Sequence, residues 1–505
     1  MKKILLFSLL ASFALVACGG GDKKSQPKAG DEKKVEVKEA VDPVVEPKDD
    51  SVVDDSVVEA VAVETVDQFD KFNSVVYELN IRQATVEGTF AAAEKYLPEL
   101  KNMGVDIVWL MPISPIGVDG RKGTLGSYYS IIDYKEINPE FGTMEDFDHF
   151  LATAHDLGLK VIIDWVANHT SRDADWWKEG KKDWYVMDEA TGLPIVEYDW
   201  TDIAKLNYKN QEVRVAMIDA LKFWIEKGVD GYRCDVAMNV PGDFWAEAWK
   251  QVRAINPDVY LLAEGEETWL HEAGFEATYA WEFHHIMNAM AKGGSETKNV
   301  AGDGTIKTDA KSVADLKEYI ARDDEKYPAP AMRLMFTSNH DENSWAGTEF
   351  ERMGDAHKTF AALTFVLPKS QPLIYTGQEI GLSRRLQFFE KDSVVELVDL
   401  EYGKEYRDFY KMLCSFRHAN SALAAGTEVA PIAFVEGAPE SVLAFTRENA
   451  ENKVFCLFNF SAEPASVVIT EAEAGDYNCA CGITKSFKAG DVVELDAWGF
   501  MLLSK

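Results

Sequence analysis

At 505 residues the chain is long enough for two or three domains with large cores. Hydrophobic residues make up 47%, the ordinary share for a globular protein. A formal charge of −33 repels nucleic acid and anionic membrane surfaces and suits a neutral substrate; no nucleic-acid partner is expected.

The N-terminus reads as a targeting segment. Lys2 and Lys3 precede an apolar run over residues 4–16 that is too short for a permanent membrane span. The run ends in Leu15-Val16-Ala17-Cys18, followed by Gly19, and resembles a bacterial lipobox with Cys18 as the lipidated first residue. A plain signal peptide with an incidental cysteine is the alternative. On the lipobox reading, residues 1–18 are a lipoprotein signal. The chain is then exported and anchored through Cys18 to a bacterial membrane, at the cell surface or on the periplasmic side. Residues 19–66 hold 13 Asp or Glu and 7 Lys, with no Leu, Ile, Phe, Tyr or Trp. Such a stretch cannot bury enough surface to offset its ordering entropy, so residues 19–70 read as a disordered acidic linker. Five further cysteines follow: Cys234, Cys414, Cys456, Cys479 and Cys481. Their spacing matches no metal site; a disulfide near the C-terminus is allowed but not demanded.

From residue 75 onward, strand and helix patterns alternate. Residues 75–80 read as a strand, and Phe90, Ala93, Leu97 and Leu100 recur at helical spacing up to Gly104. Residues 105–111 form a second apolar strand. Thr143 and Asp146 suggest a capped helix that continues through Phe147, Phe150, Leu151, Ala154 and Leu157 to Gly158. A strand over 160–164 follows. Val213, Met217, Leu221 and Trp224 mark another helix, which Gly228 closes before a strand over 231–235. Further strands fall at 260–264, 276–279, 334–338 and 373–376. Eight strand–helix units argue for an α/β fold, a closed (β/α)8 TIM barrel over residues 71–420. An open doubly wound sheet is the alternative, weakened by the lack of a Gly-rich phosphate fingerprint after the first strand. After the third strand, residues 170–203 form a polar, aromatic insertion, a short domain B over the barrel mouth. Short alternating strands after residue 420 read as a C-terminal antiparallel β-sandwich over 421–505.

Active sites of such barrels lie at the C-terminal ends of the strands. The polar residues there are Asp164, Arg233, Asp235, Glu264, Asn339, His340 and Asp341. Arg233 and Asp235 share a strand face, so the guanidinium is expected to hold Asp235 ionised. Glu264 would share the cavity with other carboxylates, whose repulsion raises the pKa of one member. Two carboxylates tuned in opposite directions suit glycoside hydrolysis. Each residue alone is more often a cap or an ion-pair partner; the ordered set is not.

The set resembles the α-amylase family, glycoside hydrolase family 13. Its signatures stand as Asp164-Trp165-Val166-Ala167-Asn168-His169, Gly231-Tyr232-Arg233-Cys234-Asp235, Leu261-Leu262-Ala263-Glu264-Gly265 and Phe336-Thr337-Ser338-Asn339-His340-Asp341. Residues 128–134 resemble a further family stretch. The resemblance implies a retaining hydrolase of α-glucosidic bonds, mainly α-1,4, in maltooligosaccharides and starch-type glucans. Asp235 would be the nucleophile, Glu264 the acid and later base, and Asp341 the transition-state stabiliser. Arg233 would orient Asp235; His169, Asn339 and His340 would bind the sugar, and Tyr129 would stack beneath it. Loop aromatics from the insertion would add stacking platforms. No organic cofactor is implied. A structural calcium is implied at Asn168, with Asp173 and Asp175 either helping or merely solvated. Met238 and Asn239 stand where many starch-cleaving members carry Lys-His, which is closer to the cyclodextrin- and pullulan-cleaving branch. A glucanotransferase of the same fold is an alternative, and a non-catalytic glycan-binding lipoprotein is one of another class.

Overall fold

A computed structural model of the chain describes residues 69–298 and 305–505. The lipobox with Cys18 and almost all of the acidic linker lie outside the described residues.

Eight parallel strands close into a barrel: β1 (Val76–Leu79), β2 (Ile107–Leu110), β3 (Lys160–Trp165), β4 (Gly231–Cys234), β5 (Tyr260–Ala263), β6 (Ala277–Tyr279), β7 (Met332–Met335) and β8 (Ser370–Tyr375). Each strand pairs with its sequence neighbours, and β8 closes on β1. The apolar runs are buried on both faces, as a sheet wrapped by helices requires. Side chains alternate. Val76, Ile107, Ile162, Leu262 and Leu334 fill the barrel interior, while Tyr77, Val108, Val161 and Leu261 pack outward against the helices.

Local signals read in the sequence set the helix ends. Thr143 caps Met144–Asp156 through a reciprocal bond with Asp146. Gly104 ends Leu97–Met103 in the left-handed region at φ 99°. The insertion after β3 is anchored by a two-stranded ribbon, His169–Ser171 against Ile203–Lys205. A hairpin of Ser295–Lys298 and Thr305–Thr308 was not foreseen, because its polar residues carry no apolar alternation.

The C-terminal region is antiparallel. Six strands form one sheet: β9 (Ile432–Phe434), β10 (Val442–Glu448), β11 (Lys453–Asn459), β13 (Gly475–Cys479), β14 (Thr484–Phe487) and β16 (Phe500–Ser504). A ribbon of β12 (Ala465–Val468) and β15 (Val492–Leu495) shares a core with it through Val467, Val493, Leu457 and Leu503. The alternating pattern of the sequence marks four of these eight strands, at 442–446, 454–459, 466–469 and 492–495. The others are short or half exposed, so their alternation is weak. Cys479 and Cys481 form a disulfide, whereas Cys234, Cys414 and Cys456 are buried thiols.

One buried arginine joins this region to the barrel, and a second, on the barrel's last helix, lies beside the same segment. Arg447 of β10 donates to the carbonyls of Ala430, Val366, Leu367 and Leu423. Arg417 donates to Phe365 and Ser370. Both cover carbonyls just beyond the C-terminal end of the helix His357–Thr364, where a cation is favoured.

Candidate active site

The polar residues named from the sequence gather at the C-terminal mouth of the barrel. The inward positions of β1, β3 and β4 turn polar or charged as the strands rise: Val76 gives way to Glu78, Ile162 to Asp164 and Gly231 to Arg233. Asp164 and Arg233 stand opposite each other in the β3–β4 register. Gly231 is required by close approach. A Cβ there would lie 2.0 Å from the Tyr260 carbonyl oxygen, so no side chain fits.

One guanidinium organises the cavity. Arg233 Nη1 lies 3.0 Å from Asp164 Oδ1 and 3.3 Å from Asp235 Oδ1. Its Nη2 stands 2.9 Å from Glu264 Oε2, an ionic contact without hydrogen-bond alignment. The N–H of Val236 donates to the same Glu264 oxygen at 2.9 Å. Val236 adopts φ 36° and ψ 47°, a strained left-handed conformation for a β-branched residue, directly after Asp235. The turn thereby aims both an N–H and a carboxylate into one space.

The other half of the site hangs on Tyr129. Its hydroxyl donates to Asp164 Oδ2 at 3.0 Å and meets His340 Nε2 at 2.8 Å. Asp341 Oδ2 is 3.4 Å from the same nitrogen. An unbroken series of contacts thus runs from Asp341 through His340, Tyr129, Asp164 and Arg233 to Asp235 and Glu264. The adjacent tyrosines separate here: Tyr128 packs against Phe388 and under Arg82, away from the charged groups. Asn339 is fully buried, and its Oδ1 accepts from the Glu342 N–H at 2.8 Å. It shapes the turn that carries His340 and Asp341, while its Nδ2 has no partner among the described residues.

The electrostatics correct one expectation. Arg233 was expected to hold Asp235 low. Burial first, and the Glu264 charge second, push Asp235 well above the usual carboxylate range, and Arg233 offsets only part of this. The guanidinium is shared with Asp164 and Glu264, both nearer to it than Asp235. Burial likewise lifts Asp164 to about 6 against the pull of Arg233. The two histidines diverge. Burial lowers His169 to about 4, so it is neutral at pH 7. Burial acts the same way on His340, but Asp341 and Glu78 overcome it and raise the ring to about 9. Beneath the turn, His284 and Arg352 overcome burial and hold Glu342 down to about 2.

A model of the alpha amylase catalytic domain matches residues 80–194 and 181–413. The chain belongs to the alpha-amylase family. It is 29% identical over 428 residues to alpha-amylase MalA of Haloarcula japonica, covering 81% of this chain and 59% of that protein. A cyclomaltodextrinase of Bacillus sp. is 26% identical over 394 residues, covering 72% of this chain and 64% of its own. The chain thus spans about three fifths of these curated relatives. Among solved structures, an alpha-amylase from Lactobacillus plantarum superposes with a TM-score of 0.73 at 29% identity, covering 86% of this chain and 99% of its own. The maltogenic alpha-amylase AmyB of Thermotoga neapolitana gives 0.74 at 27% identity, with the same coverage.

The calcium expected from the family resemblance does not fit the residues present. Asn168, the expected ligand, donates its side-chain amide to Glu197 Oε2. The other Glu197 oxygen pairs with the Lys205 ammonium. A lysine cation inside the donor set repels a second cation and already neutralises the carboxylate. Asp173 accepts instead from the Val118 N–H, and no group of three metal-ligating side chains occurs among the described residues. The Asn168–Glu197–Lys205 lock ties the insertion to the barrel beside His169, whose ring meets Trp200 at 5.6 Å. Chelation with EDTA is therefore expected to leave the melting temperature unchanged. Lys205→Met is expected to lower it by leaving Glu197 half buried and unpaired. Thermal melts with and without chelator check both.

Sequence reasoning missed Glu78, Glu197, Lys205 and Glu342. A signal existed for Glu78, a charged residue inside the apolar strand Val76-Tyr77-Glu78-Leu79. Glu197 and Lys205 meet only through the folding of the insertion.

Proposed function

We propose that the protein is a retaining hydrolase of α-glucosidic bonds, mainly α-1,4, acting on maltooligosaccharides and starch-type glucans. The supporting observation is the meeting of Asp235, Glu264 and Asp341 in one cluster of mutually repelling carboxyls, held by Arg233 and His340. Asp235 Oδ attacks C1 of the sugar, and the bond from C1 to the leaving oxygen breaks. Glu264 gives that oxygen its proton. Glu264 then takes a proton from water, the water oxygen bonds to C1, and the ester to Asp235 breaks. Two displacements retain the configuration. With one carboxyl on each terminal nitrogen of one guanidinium, the pair stands side by side, as in retaining enzymes, where the separation is about 5–5.5 Å. Asp341, beside the His340 cation, offers its charge to the oxocarbenium-like transition state. His169 hydrogen-bonds sugar hydroxyls, and Tyr129 lies under the ring.

The relatives carry names that include alpha-amylase, cyclomaltodextrinase and oligo-1,6-glucosidase, which supports the bond class and leaves chain length open. Incubation with starch, pullulan, cyclodextrin and isomaltose, with products separated by size, tests the reading. Shorter products from maltooligosaccharides are expected. Products longer than the substrate would show transfer instead. Failure on every α-glucan, with binding retained, would show a glycan-binding protein. We further propose that Cys18 carries lipid and anchors the enzyme to a bacterial membrane. The support is Leu15-Val16-Ala17-Cys18 after an apolar run. Cys18→Ser is expected to move the protein from the membrane fraction to the soluble one; no change would refute the anchor.

A further inference from the structure

Glu78 takes no part in the steps above, yet it is fully buried in β1 at the floor of the site. A carboxylate there is costly unless it is paired. Its partner is His340, whose Nδ1 lies 2.5 Å from Glu78 Oε1. Glu78 Oε2 has no hydrogen-bond partner, so His340 is the group that compensates the charge. The other ring nitrogen meets Tyr129 Oη at 2.8 Å and Asp341 Oδ2 at 3.4 Å. Tyr129 has one hydroxyl proton, and Asp164 Oδ2, at 3.0 Å, accepts it. The hydroxyl oxygen therefore accepts from His340, and Nε2 carries a hydrogen. Nδ1 faces a carboxylate oxygen, so it carries one as well.

We propose that Glu78 is a positioning residue that keeps the His340 ring doubly protonated, so that Nε2–H remains a donor and a positive charge stays beside Asp341. The surroundings support a cation. Glu78 faces the ring from β1, Tyr129 from the segment after β2, and Asp341 from the ring's own turn. Asp164 and Arg233 stand behind Tyr129 on β3 and β4. Trp109 and Phe388 close the remaining sides with apolar rings 5.9 and 6.1 Å away. Three carboxylates against one guanidinium favour the charged imidazole. The direction of its pKa agrees, since the carboxylate charges outweigh a burial that lowers the neighbouring His169. A neutral ring would lose one of its two donors and leave Asp341 without a cation. The consequence for turnover rests on the proposed hydrolase reading; the protonation of the ring does not.

The test titrates His340 in the whole protein labelled with ¹⁵N-histidine, with His340→Asn used for assignment. The ring is expected to stay doubly protonated at pH 7 in the wild type. In Glu78→Gln, which keeps the shape and removes the charge, it should lose its proton at least one pH unit lower. The ratio of variant to wild-type kcat/KM cancels the ionisations the two enzymes share. That ratio should fall about twofold between pH 6 and pH 8 and about tenfold by pH 10, as a one-unit shift below the wild-type value of about 9 dictates, and Glu78→Asp should restore most of it. A ring neutral at pH 7 in the wild type, or titrating alike in both proteins, overturns the proposal. If Glu78→Gln does not fold, the wild-type titration decides alone. A chain inactive on every α-glucan would refute the hydrolase reading without touching this result.

Discussion

Asp235→Asn is expected to lower kcat on maltotriose by more than about 10⁴-fold, because no other group in the cavity is placed to form the glycosyl ester. The same variant is expected to melt at or above the wild-type temperature. Burial and Glu264 already disfavour the Asp235 anion, so a neutral isostere relieves repulsion rather than removing support. Reducing-sugar release and thermal melts measure the two effects on one sample. Glu264→Gln separates the roles. An acid matters in proportion to how poorly the leaving group departs, so this variant should fail on maltotriose by about 10²–10⁴-fold yet form the ester readily from α-glucosyl fluoride. Asp235→Asn should fail on both. Equal losses on both substrates for the Glu264 variant would remove it as the acid.

Arg233→Met carries the second large effect, this time on stability. The guanidinium touches Asp164, Asp235 and Glu264, all deeply buried, and its loss leaves them without a cation. Breaking a buried charge cluster by removing one partner costs about 3–5 kcal/mol. The sign with pH follows from protonation. Without Arg233 the carboxyls rise still further, and a protonated carboxyl needs no counter-ion. The deficit should therefore be small at pH 5 and grow toward pH 8, through and above the value of about 6 that Asp164 holds with the arginine present. Urea midpoints of both proteins at the two pH values check this. A deficit independent of pH would mean that Arg233 acts by packing alone, over the Trp109 and Tyr279 rings.

Much of the site was legible because a closed parallel barrel places every strand end at one mouth. A polar residue that ends an apolar strand is therefore a site candidate before any coordinates exist. Asp235 and Glu264 follow β4 and β5 directly and were found in this way. Asp341 was named by the same rule, yet it stands six residues beyond β7, on a turn that Asn339 and Glu342 shape. Glu78 was passed over because it stands inside a short apolar strand rather than at its end, where candidates were sought. The calcium at Asn168 was misjudged for the opposite reason. The motif residue is present, but its partners Glu197 and Lys205 are set by how the insertion folds back through its ribbon.

The sequence by itself determined the barrel and its family and pointed to three acids at strand ends, because strand periodicity and strand-end chemistry are local properties. The electrostatic surroundings of those acids were set only by the tertiary structure. Arg233 looked like a private partner of Asp235 two residues away, but folding shares it among three carboxylates and buries them all. Electrostatic energy depends on every charge within a few ångströms and on the water excluded around them. Neither quantity can be read along a chain.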